Sequence, residues 1–246
     1  MEKKLISLKE IAQVIDHSLL RPELTVSELR EGCTIAKRYG CISVCVRPSD
    51  LPIVVEELKG TAVKVTTVIA FPHGGATTES KVAETIDAIA KGAVEVDMVL
   101  NIGRLRSGEN DYVQRDIAAV AEAAHAHSAL LKVILENYYL SDEQKVTACK
   151  LAEAVGADFV KTSTGYAKGG TTIPDLVLMR KTVSPRVQVK AAGGVRDLDA
   201  ALAVIATGTV RIGTRSTVEI LSQAQKRADA NGELQFTSGG LLGSGY

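Results

Sequence analysis

Short apolar segments rich in Val and Ile recur along the chain, and each is followed by a longer segment with the periodicity of an amphipathic helix. The longer segments begin near Ser or Asp and end near Gly, as helices do at their amino and carboxyl ends. Continuous apolar runs are typical of strands in parallel sheets. The pattern predicts eight strands, at residues 12–16, 41–46, 63–71, 94–100, 130–136, 158–163, 187–192 and 209–213.

This alternation of strands and helices predicts the fold class. Eight strands within 246 residues favour one α/β domain, a (β/α)8 TIM barrel, over an open doubly wound sheet. We assign residues 1–236 to the barrel because no linker rich in Pro or Ser interrupts the series. Residues 237–246, TSGGLLGSGY, lack periodicity, and we expect them to form a flexible tail.

Several predicted strands carry charged residues where a buried strand should be apolar. In the fourth strand, Val94, Val96, Met98 and Leu100 form one face, so the alternation of side chains places Glu95 and Asp97 inside the barrel. The same alternation places further polar residues inside, namely Lys132, Glu136, Lys161, Ser163, Gln188, Lys190 and Arg211. Buried charges must be paired, so any single member could belong to a structural ion pair. The set as a whole favours an active site.

Two of these interior residues, Lys161 and Lys190, lie on consecutive predicted strands. Neighbouring strands are about 4.8 Å apart. A lysine attacks a carbonyl group only as the neutral amine, so its pKa must fall from about 10.4 toward 7 or 8, a difference of about 4 kcal/mol. A like charge about 4 Å away supplies about that much at an effective dielectric near 20, and burial adds to it. The pair therefore predicts a nucleophilic lysine.

Glycines follow the seventh and eighth strands, where TIM barrels usually bind phosphate. Paired glycines let backbone N–H groups approach an anion, and a helix amino terminus adds a favourable dipole. Tight turns also use paired glycines, but here a glycine-containing loop follows each of the two strands, and each loop also carries an arginine. We predict a phosphate site formed by these two loops, which contain Gly193, Gly194 and Arg196, and Gly213, Arg215 and Ser216.

Composition narrows the possible partners. The 29 basic and 29 acidic side chains cancel, so the overall charge does not favour nucleic acid or an anionic membrane as partner. No segment approaches the roughly 20 apolar residues that span a bilayer, and the start lacks a secretory signal, so we expect a cytoplasmic protein. The cysteines have neither a secretory context nor CxxC spacing, and we expect free buried thiols at Cys33, Cys41, Cys45 and Cys149.

No cofactor or metal is expected. The sequence contains neither GxGxxG nor a P-loop, so nothing supports a nucleotide cofactor. The four histidines form no HExxH motif, and nothing supports a catalytic metal.

Over essentially its whole length the chain resembles the deoxyribose-phosphate aldolases. Seven motifs carry the resemblance in the family's order and spacing: IDHSLLRPE, VIAFPHGG, EVDMVLNIG, KVILE, FVKTSTG, VKAAGGVR and RIGT. The resemblance implies a class I aldolase that reversibly cleaves 2-deoxy-D-ribose 5-phosphate, a small-molecule sugar phosphate, to D-glyceraldehyde 3-phosphate and acetaldehyde. It also implies that a homodimer is possible.

The resemblance implies roles for particular residues. Lys161 of FVKTSTG would form the imine, Lys190 of VKAAGG would lower its pKa, and Asp97 of EVDMV would relay protons with an ordered water. Asp16 and Thr162 would face the sugar hydroxyls. The residues around the phosphate would be Gly165, Gly193, Gly194, Gly213 and Ser216. Two positions depart from the family pattern, because Arg215 stands where a small residue is usual and Asn137 where Thr is common.

The carboxyl terminus ends on Tyr246 after a segment rich in Gly and Ser. Composition alone favours a disordered terminus. A terminal tyrosine that enters the active site is a feature of the family, and the resemblance therefore implies that Tyr246 assists proton transfer at the carbon alpha to the imine. Two alternatives stay open for the whole chain: another Schiff-base aldolase or transaldolase of sugar phosphates, and a non-catalytic sugar-phosphate binding barrel.

Overall fold

The structure, a computed structural model, describes residues 2–238 of the chain. Eight parallel strands close into a barrel in sequence order, from β2 to β9, and so confirm the predicted fold class. The strands, including a pair outside the barrel, are β1 (Glu2–Ser7), β2 (Ile15–Leu19), β3 (Ser43–Val46), β4 (Lys64–Ile69), β5 (Glu95–Val99), β6 (Leu130–Ile134), β7 (Phe159–Lys161), β8 (Gln188–Ala192), β9 (Arg211–Thr214) and β10 (Glu233–Ser238).

Helices follow the barrel strands and cover them. They are α1 (Leu8–Ala12), α2 (Val26–Tyr39), α3 (Leu51–Leu58), α4 (Thr78–Ala90), α5 (Ile102–Arg106), α6 (Asn110–His125), α7 (Asp142–Ala154), α8 (Ile173–Thr182), α9 (Leu198–Ala206) and α10 (Thr217–Arg227). Local sequence sets their ends: Thr25 and Glu28 form a capping box before α2, and Gly40 ends that helix with a φ of 67°. No helix within residues 2–238 is long and apolar enough to cross a membrane.

The first barrel strand starts later than the sequence predicts. The prediction placed it at 12–16, but Ala12 ends α1 and β2 runs from Ile15 to Leu19. A capping box between Ser7 and Glu10 starts the short helix α1, and this local signal was missed. The other seven barrel strands lie within their predicted ranges, except that β9 extends one residue further, to Thr214.

The pair β1 and β10 forms a separate antiparallel sheet that the sequence did not predict. Glu2 is the register partner of Ser238, and Ser7 that of Glu233. The predicted boundary between residues 236 and 237 therefore falls inside β10. The two strands come from opposite ends of the chain, and neither is recognisable without the other. Tyr246 lies outside the described residues.

The alternation predicted for the fourth barrel strand is present in β5. Val96, Met98 and Leu100 are fully buried in the apolar layer between barrel and helices. Glu95 and Asp97 are equally buried, but they make ion pairs with side chains from other barrel strands. The register aligns Asp97 with Lys132, and Lys161 with Lys190. The charged side chains thus lie at matching heights inside the barrel.

Candidate active site

Asp97, on β5, is the centre of the charged interior. Its Oδ2 atom lies 2.7 Å from Lys161 Nζ and 2.7 Å from Lys190 Nζ. Its Oδ1 atom accepts a hydrogen bond of 2.9 Å from Lys132 Nζ. Asp97 and Lys132 are fully buried, and Lys161 and Lys190 are almost so. One carboxylate therefore joins three lysines from β6, β7 and β8.

A second part of the cluster surrounds Arg211 on β9. Its guanidinium group donates to Glu95 Oε1 at 2.8 Å and to Asp16 Oδ1 at 2.7 Å. Asp16 also accepts a 2.7 Å hydrogen bond from the Ser43 hydroxyl, and its Oδ2 atom lies 2.5 Å from Lys190 Nζ. Lys190 thus lies between two carboxylates, Asp16 and Asp97.

The cluster balances its charge when Lys161 is neutral. Its ion pairs join the buried carboxylates Asp16, Glu95 and Asp97 to the other buried cations Lys132, Lys190 and Arg211. The nearby Glu136 adds little negative charge to this balance, because burial raises the pKa of its carboxyl group. Lys64 Nζ approaches Glu95 to 3.6 Å, but its side chain is 44% exposed, so water screens its charge. A protonated Lys161 would therefore be a surplus charge in a low-dielectric interior, which is unfavourable. The arrangement favours a neutral amine at Lys161.

The pKa shifts follow from this arrangement. Burial lowers the pKa of Lys161; Asp97 opposes this and the positive charge of Lys190 adds to it. Burial is thus the largest cause of the lowered pKa of Lys161. The like charge of Lys190, which the sequence alone suggested would be sufficient, contributes less. Although burial acts against the charged form, Asp16 and Asp97 raise the pKa of Lys190 above its usual value. Burial is likewise outweighed at Asp97, where three lysines hold the pKa well below its usual range.

A cavity of about 310 Å³ opens above this cluster at the carboxyl ends of the strands. Nine of the residues predicted for the site line it: Asp16, Lys161, Gly165, Lys190, Gly193, Gly194, Arg196, Gly213 and Ser216. Asp97 does not line it, because it is buried beneath the two lysines. Thr162 does not line it either. Its hydroxyl group instead hydrogen-bonds to the backbone N and O of Ala192, which joins β7 to β8.

The glycine loops form one side of the cavity. Gly165, Gly193 and Gly194 have φ values of 86°, 78° and 91°, a region that suits glycine. A Cβ atom added at Gly193 would lie 3.1 Å from Gly170 Cα, whereas one added at Gly194 would meet nothing within 4 Å. Close packing therefore requires the first glycine, while Gly194 faces open space. Asp197 caps α9 directly after this loop.

Two arginines border this side of the cavity. Arg196 and Arg215 are exposed and line the cavity. Neither makes an ion pair or hydrogen bond with any other described residue. Both guanidinium groups are therefore available to an anionic ligand. Asn137, the other departure from the family pattern, is buried outside this cavity and donates a hydrogen bond to Met179 Sδ at 3.3 Å.

Some site residues were missed from the sequence. Ser43 and Cys45 alternate along β3 as interior residues do, yet apolar neighbours hid this signal. Thr164 and Tyr166 line the cavity from the loop after β7, where no periodicity applies. Gln188 was predicted inside, but it is half-buried at the start of β8 and binds Pro185 O. Within residues 2–238 no group of His, Cys, Asp or Glu could hold a metal ion.

Comparison with known proteins gives the relatives of this chain. Residues 10–217 match the family described as DeoC/LacD family aldolase. The chain is 48% identical over 228 residues to the deoxyribose-phosphate aldolase of Caldanaerobacter subterraneus subsp. tengcongensis, which covers 92% of this chain and 99% of the relative. It is 54% identical over 211 residues to that of Brevibacillus brevis, which covers 86% and 95%.

A solved structure agrees with these matches. The tetrameric deoxyribose phosphate aldolase from Aeropyrum pernix is 30% identical, with a TM-score of 0.83 over 88% of this chain and 92% of that chain. The sequence and structure matches each cover most of the chain. The chain belongs to the DeoC/LacD aldolase family.

Proposed function

We propose that this aldolase reversibly cleaves 2-deoxy-D-ribose 5-phosphate to D-glyceraldehyde 3-phosphate and acetaldehyde through a Schiff base on Lys161. The observation that carries the proposal is the position of Lys161, which borders the cavity while belonging to a buried cluster whose charge balances without it. The names of the relatives and the glycine loops at the other side of the cavity support the substrate.

In the proposed reaction, the neutral amine of Lys161 attacks C1 of the open-chain sugar, and uptake of a proton with loss of water gives the protonated imine. The C3 hydroxyl group then loses its proton, the C2–C3 bond breaks, and glyceraldehyde 3-phosphate leaves. The bonding electrons pass to the imine nitrogen and form an enamine. Protonation at C2 and addition of water release acetaldehyde and restore the amine. The reaction consists of proton transfers, the formation and hydrolysis of the bond between Lys161 and C1, and cleavage of the C2–C3 bond. It needs no redox step.

Lys190 and Asp97 act electrostatically in this scheme. Lys190 stays protonated between Asp16 and Asp97 and disfavours a second charge at Lys161. Asp97 accepts from both lysines, and its low pKa opposes protonation in the free enzyme. When Lys161 Nζ turns toward the substrate, Oδ2 loses one donor and can take part in proton transfer through water. We therefore expect Asp97 to relay protons only after Lys161 has formed the covalent intermediate with the substrate.

Phosphate binding is assigned to the loops after β7, β8 and β9. Gly194 leaves its backbone facing open space, and the amino-terminal end of α9 follows three residues later. Arg196 and Arg215 add two cations beside it. Asp16 and Thr162 stay predicted contacts of the sugar hydroxyls. Of the two, only Asp16 lines the cavity.

We further propose that Tyr246 assists proton transfer at C2 of the enamine. The proposal rests on the resemblance to the family and on the composition of the segment before it, which is rich in Gly and Ser as linkers are. Deleting Tyr246 should spare imine formation but slow exchange of the acetaldehyde methyl protons with deuterated water. NMR of that methyl group measures this, and equal exchange rates in the two proteins would remove Tyr246 from the mechanism.

One experiment tests substrate, intermediate and residue together. Borohydride treatment in the presence of 2-deoxy-D-ribose 5-phosphate should add a reduced adduct on Lys161, located by peptide mass spectrometry, and the untreated reaction should yield acetaldehyde. An adduct without acetaldehyde would indicate a Schiff-base aldolase or transaldolase with another donor. Binding without any adduct would indicate a non-catalytic barrel.

A homodimer and a cytoplasmic location stay proposals. Sedimentation velocity would measure the oligomeric state.

A further inference from the structure

Glu136, at the carboxyl end of β6, is a buried acid that the proposed mechanism does not use. It is 2% exposed and does not line the cavity. Its backbone has a φ of 56° and a ψ of 64°, the left-handed region that residues other than glycine seldom adopt. Such a conformation is unfavourable and persists only where surrounding contacts enforce it. The contacts of Glu136 therefore indicate what the conformation serves.

The side-chain hydrogen bonds of Glu136 all go to Thr164, in the loop after β7. The Thr164 backbone N–H lies 3.3 Å from both carboxylate oxygens of Glu136, and its hydroxyl group donates a short hydrogen bond to Oε2. The Thr164 hydroxyl in turn accepts a 3.0 Å hydrogen bond from the backbone N–H of Tyr166. One carboxylate thus fixes three consecutive residues, Thr164 to Tyr166.

The other end of this segment is attached across the cavity. The Tyr166 hydroxyl group donates a 2.7 Å hydrogen bond to Leu20 O, in the loop after β2. Its ring meets Phe71 edge to face, with centroids 5.4 Å apart. Glu136 and Leu20 therefore hold Thr164–Tyr166 from two sides, and the segment forms one wall of the cavity beside Lys161.

The middle of the same segment supports the predicted phosphate loop. A Cβ atom at Gly193 would lie 3.5 Å from Gly165 Cα, and the Thr171 N–H donates a 3.0 Å hydrogen bond to Gly193 O. The loop after β7 thus packs backbone to backbone against Gly193. A shift of Thr164–Tyr166 would displace Gly165, and with it the backbone donors around the phosphate.

We propose that Glu136 is a positioning residue that holds the loop Thr164–Tyr166 in place and thereby sets the geometry of the phosphate site. The inference rests on the proposed function for its substrate. It assigns Glu136 to ligand binding and not to the chemical step, because its carboxylate reaches the loop and not the cavity. Loss of the Glu136–Thr164 contact should therefore raise KM and leave kcat nearly unchanged.

The test compares Glu136→Gln, Thr164→Val and Thr164→Ser with the wild-type enzyme. Thr164→Val removes the hydroxyl group at nearly constant shape, and Thr164→Ser restores it. Hydrogen bonds to charged groups make a loss of about ten- to hundredfold reasonable, so Thr164→Val should raise KM for 2-deoxy-D-ribose 5-phosphate by that factor. Thr164→Ser should recover most of the loss, and KM for unphosphorylated deoxyribose should change much less. Thr147→Val, the same change on the exposed face of α7, is the matched control.

Calorimetric titration with inorganic phosphate makes the test independent of the reaction. Glu136→Gln and Thr164→Val should weaken phosphate binding in parallel with the rise in KM, while circular dichroism shows that both variants stay folded. Unchanged phosphate affinity, or a fall in kcat with constant KM, would overturn the positioning role. Absence of wild-type turnover would instead count against the proposed function, and the phosphate titration would still decide the role of Glu136.

Discussion

Two buried lysines in this barrel differ in what surrounds them. Lys81, on α4, is fully buried between the helices, and Lys161 is almost fully buried inside the barrel. Burial lowers the pKa of both amines. Lys81 lies 2.5 Å from Asp116 and 3.0 Å from Val99 O, in a matched pair that does not line the cavity beside Lys161. Lys161 shares Asp97 with two other lysines and borders open space.

Both lysines are buried, so burial alone does not distinguish Lys161, the proposed nucleophile, from Lys81. Lys81 has a carboxylate of its own, so its protonated form is compensated and joins α4 to α6. Lys161 is the surplus cation of its cluster and can reach a ligand. Charge surplus and access together distinguish Lys161, the proposed nucleophile, from Lys81. Substitutions that remove one of these features at a time test the distinction.

The largest expected effect is that of Lys161→Ala. The variant should lose borohydride trapping and turnover completely, because the other lysine that lines the cavity within residues 2–238, Lys190, has a raised pKa. Its thermal midpoint should stay close to that of the wild type, since the remaining cluster is balanced. Mass spectrometry after trapping checks the first expectation and calorimetry the second. An adduct on Lys190 in the variant would show that the assignment is wrong.

Lys190→Met tests the charge surplus. Electrostatic and proton-transfer contributions of this kind amount to about 10² to 10⁴ in rate. Removing the positive charge beside Lys161 should raise the pKa of Lys161, so the amine stays protonated to higher pH and the acid limb of kcat/KM moves upward. Activity should recover partly as the pH rises. A pH–rate profile with an unmoved acid limb would contradict the role of Lys190.

Lys81→Met should affect stability and not chemistry. Removing one partner leaves Asp116 buried without its cation, which costs about 3 to 5 kcal/mol in buried pairs. Lys91→Met, at the carboxyl end of the same helix, is the control. Lys91 and Asp87 are exposed, and exposed ion pairs contribute about 0 to 1 kcal/mol to stability. Urea unfolding measures both changes. If Lys81→Met instead abolished imine trapping while remaining folded, the distinction between the two lysines would fail.

Gly194→Val tests access at the phosphate end of the cavity. The backbone at Gly194 has a φ of 91°, which valine adopts only with strain, and its side chain would project into open space. KM for 2-deoxy-D-ribose 5-phosphate should rise, on the order of tenfold or more, because backbone donors lost to a charged ligand cost about 1.5 to 3 kcal/mol. Free deoxyribose should be affected much less. Equal losses on both substrates would indicate misfolding.

The two buried lysines also show which features of the site can be predicted from the sequence and which cannot. Period-2 alternation predicts that Asp97, Lys132, Lys161, Lys190 and Arg211 lie inside the barrel, because each strand has only two faces. Alternation says nothing about partners across the barrel. The sharing of one Asp97 oxygen by Lys161 and Lys190, and the dominance of burial over the neighbouring charge, emerged only from the structure.

Loops and chain ends were harder to predict for a different reason. The left-handed backbone at Glu136, the attachment of Tyr166 to Leu20 O and the pairing of β1 with β10 all depend on partners far away in sequence. No local periodicity records such contacts. Thr162 illustrates the same limit, since its hydroxyl group binds the backbone of Ala192 and not the cavity.

Hydrophobic periodicity and glycine placement are local properties of the chain, so the eight-stranded barrel, the interior face of each charged strand and the glycine loops could be predicted from the sequence. The folded structure was needed to identify which lysine would be an uncompensated charge if protonated, which carboxylates compensate the other cations and which residues border the cavity. Those outcomes depend on distances between strands and on exclusion of water, and both arise only when the barrel closes.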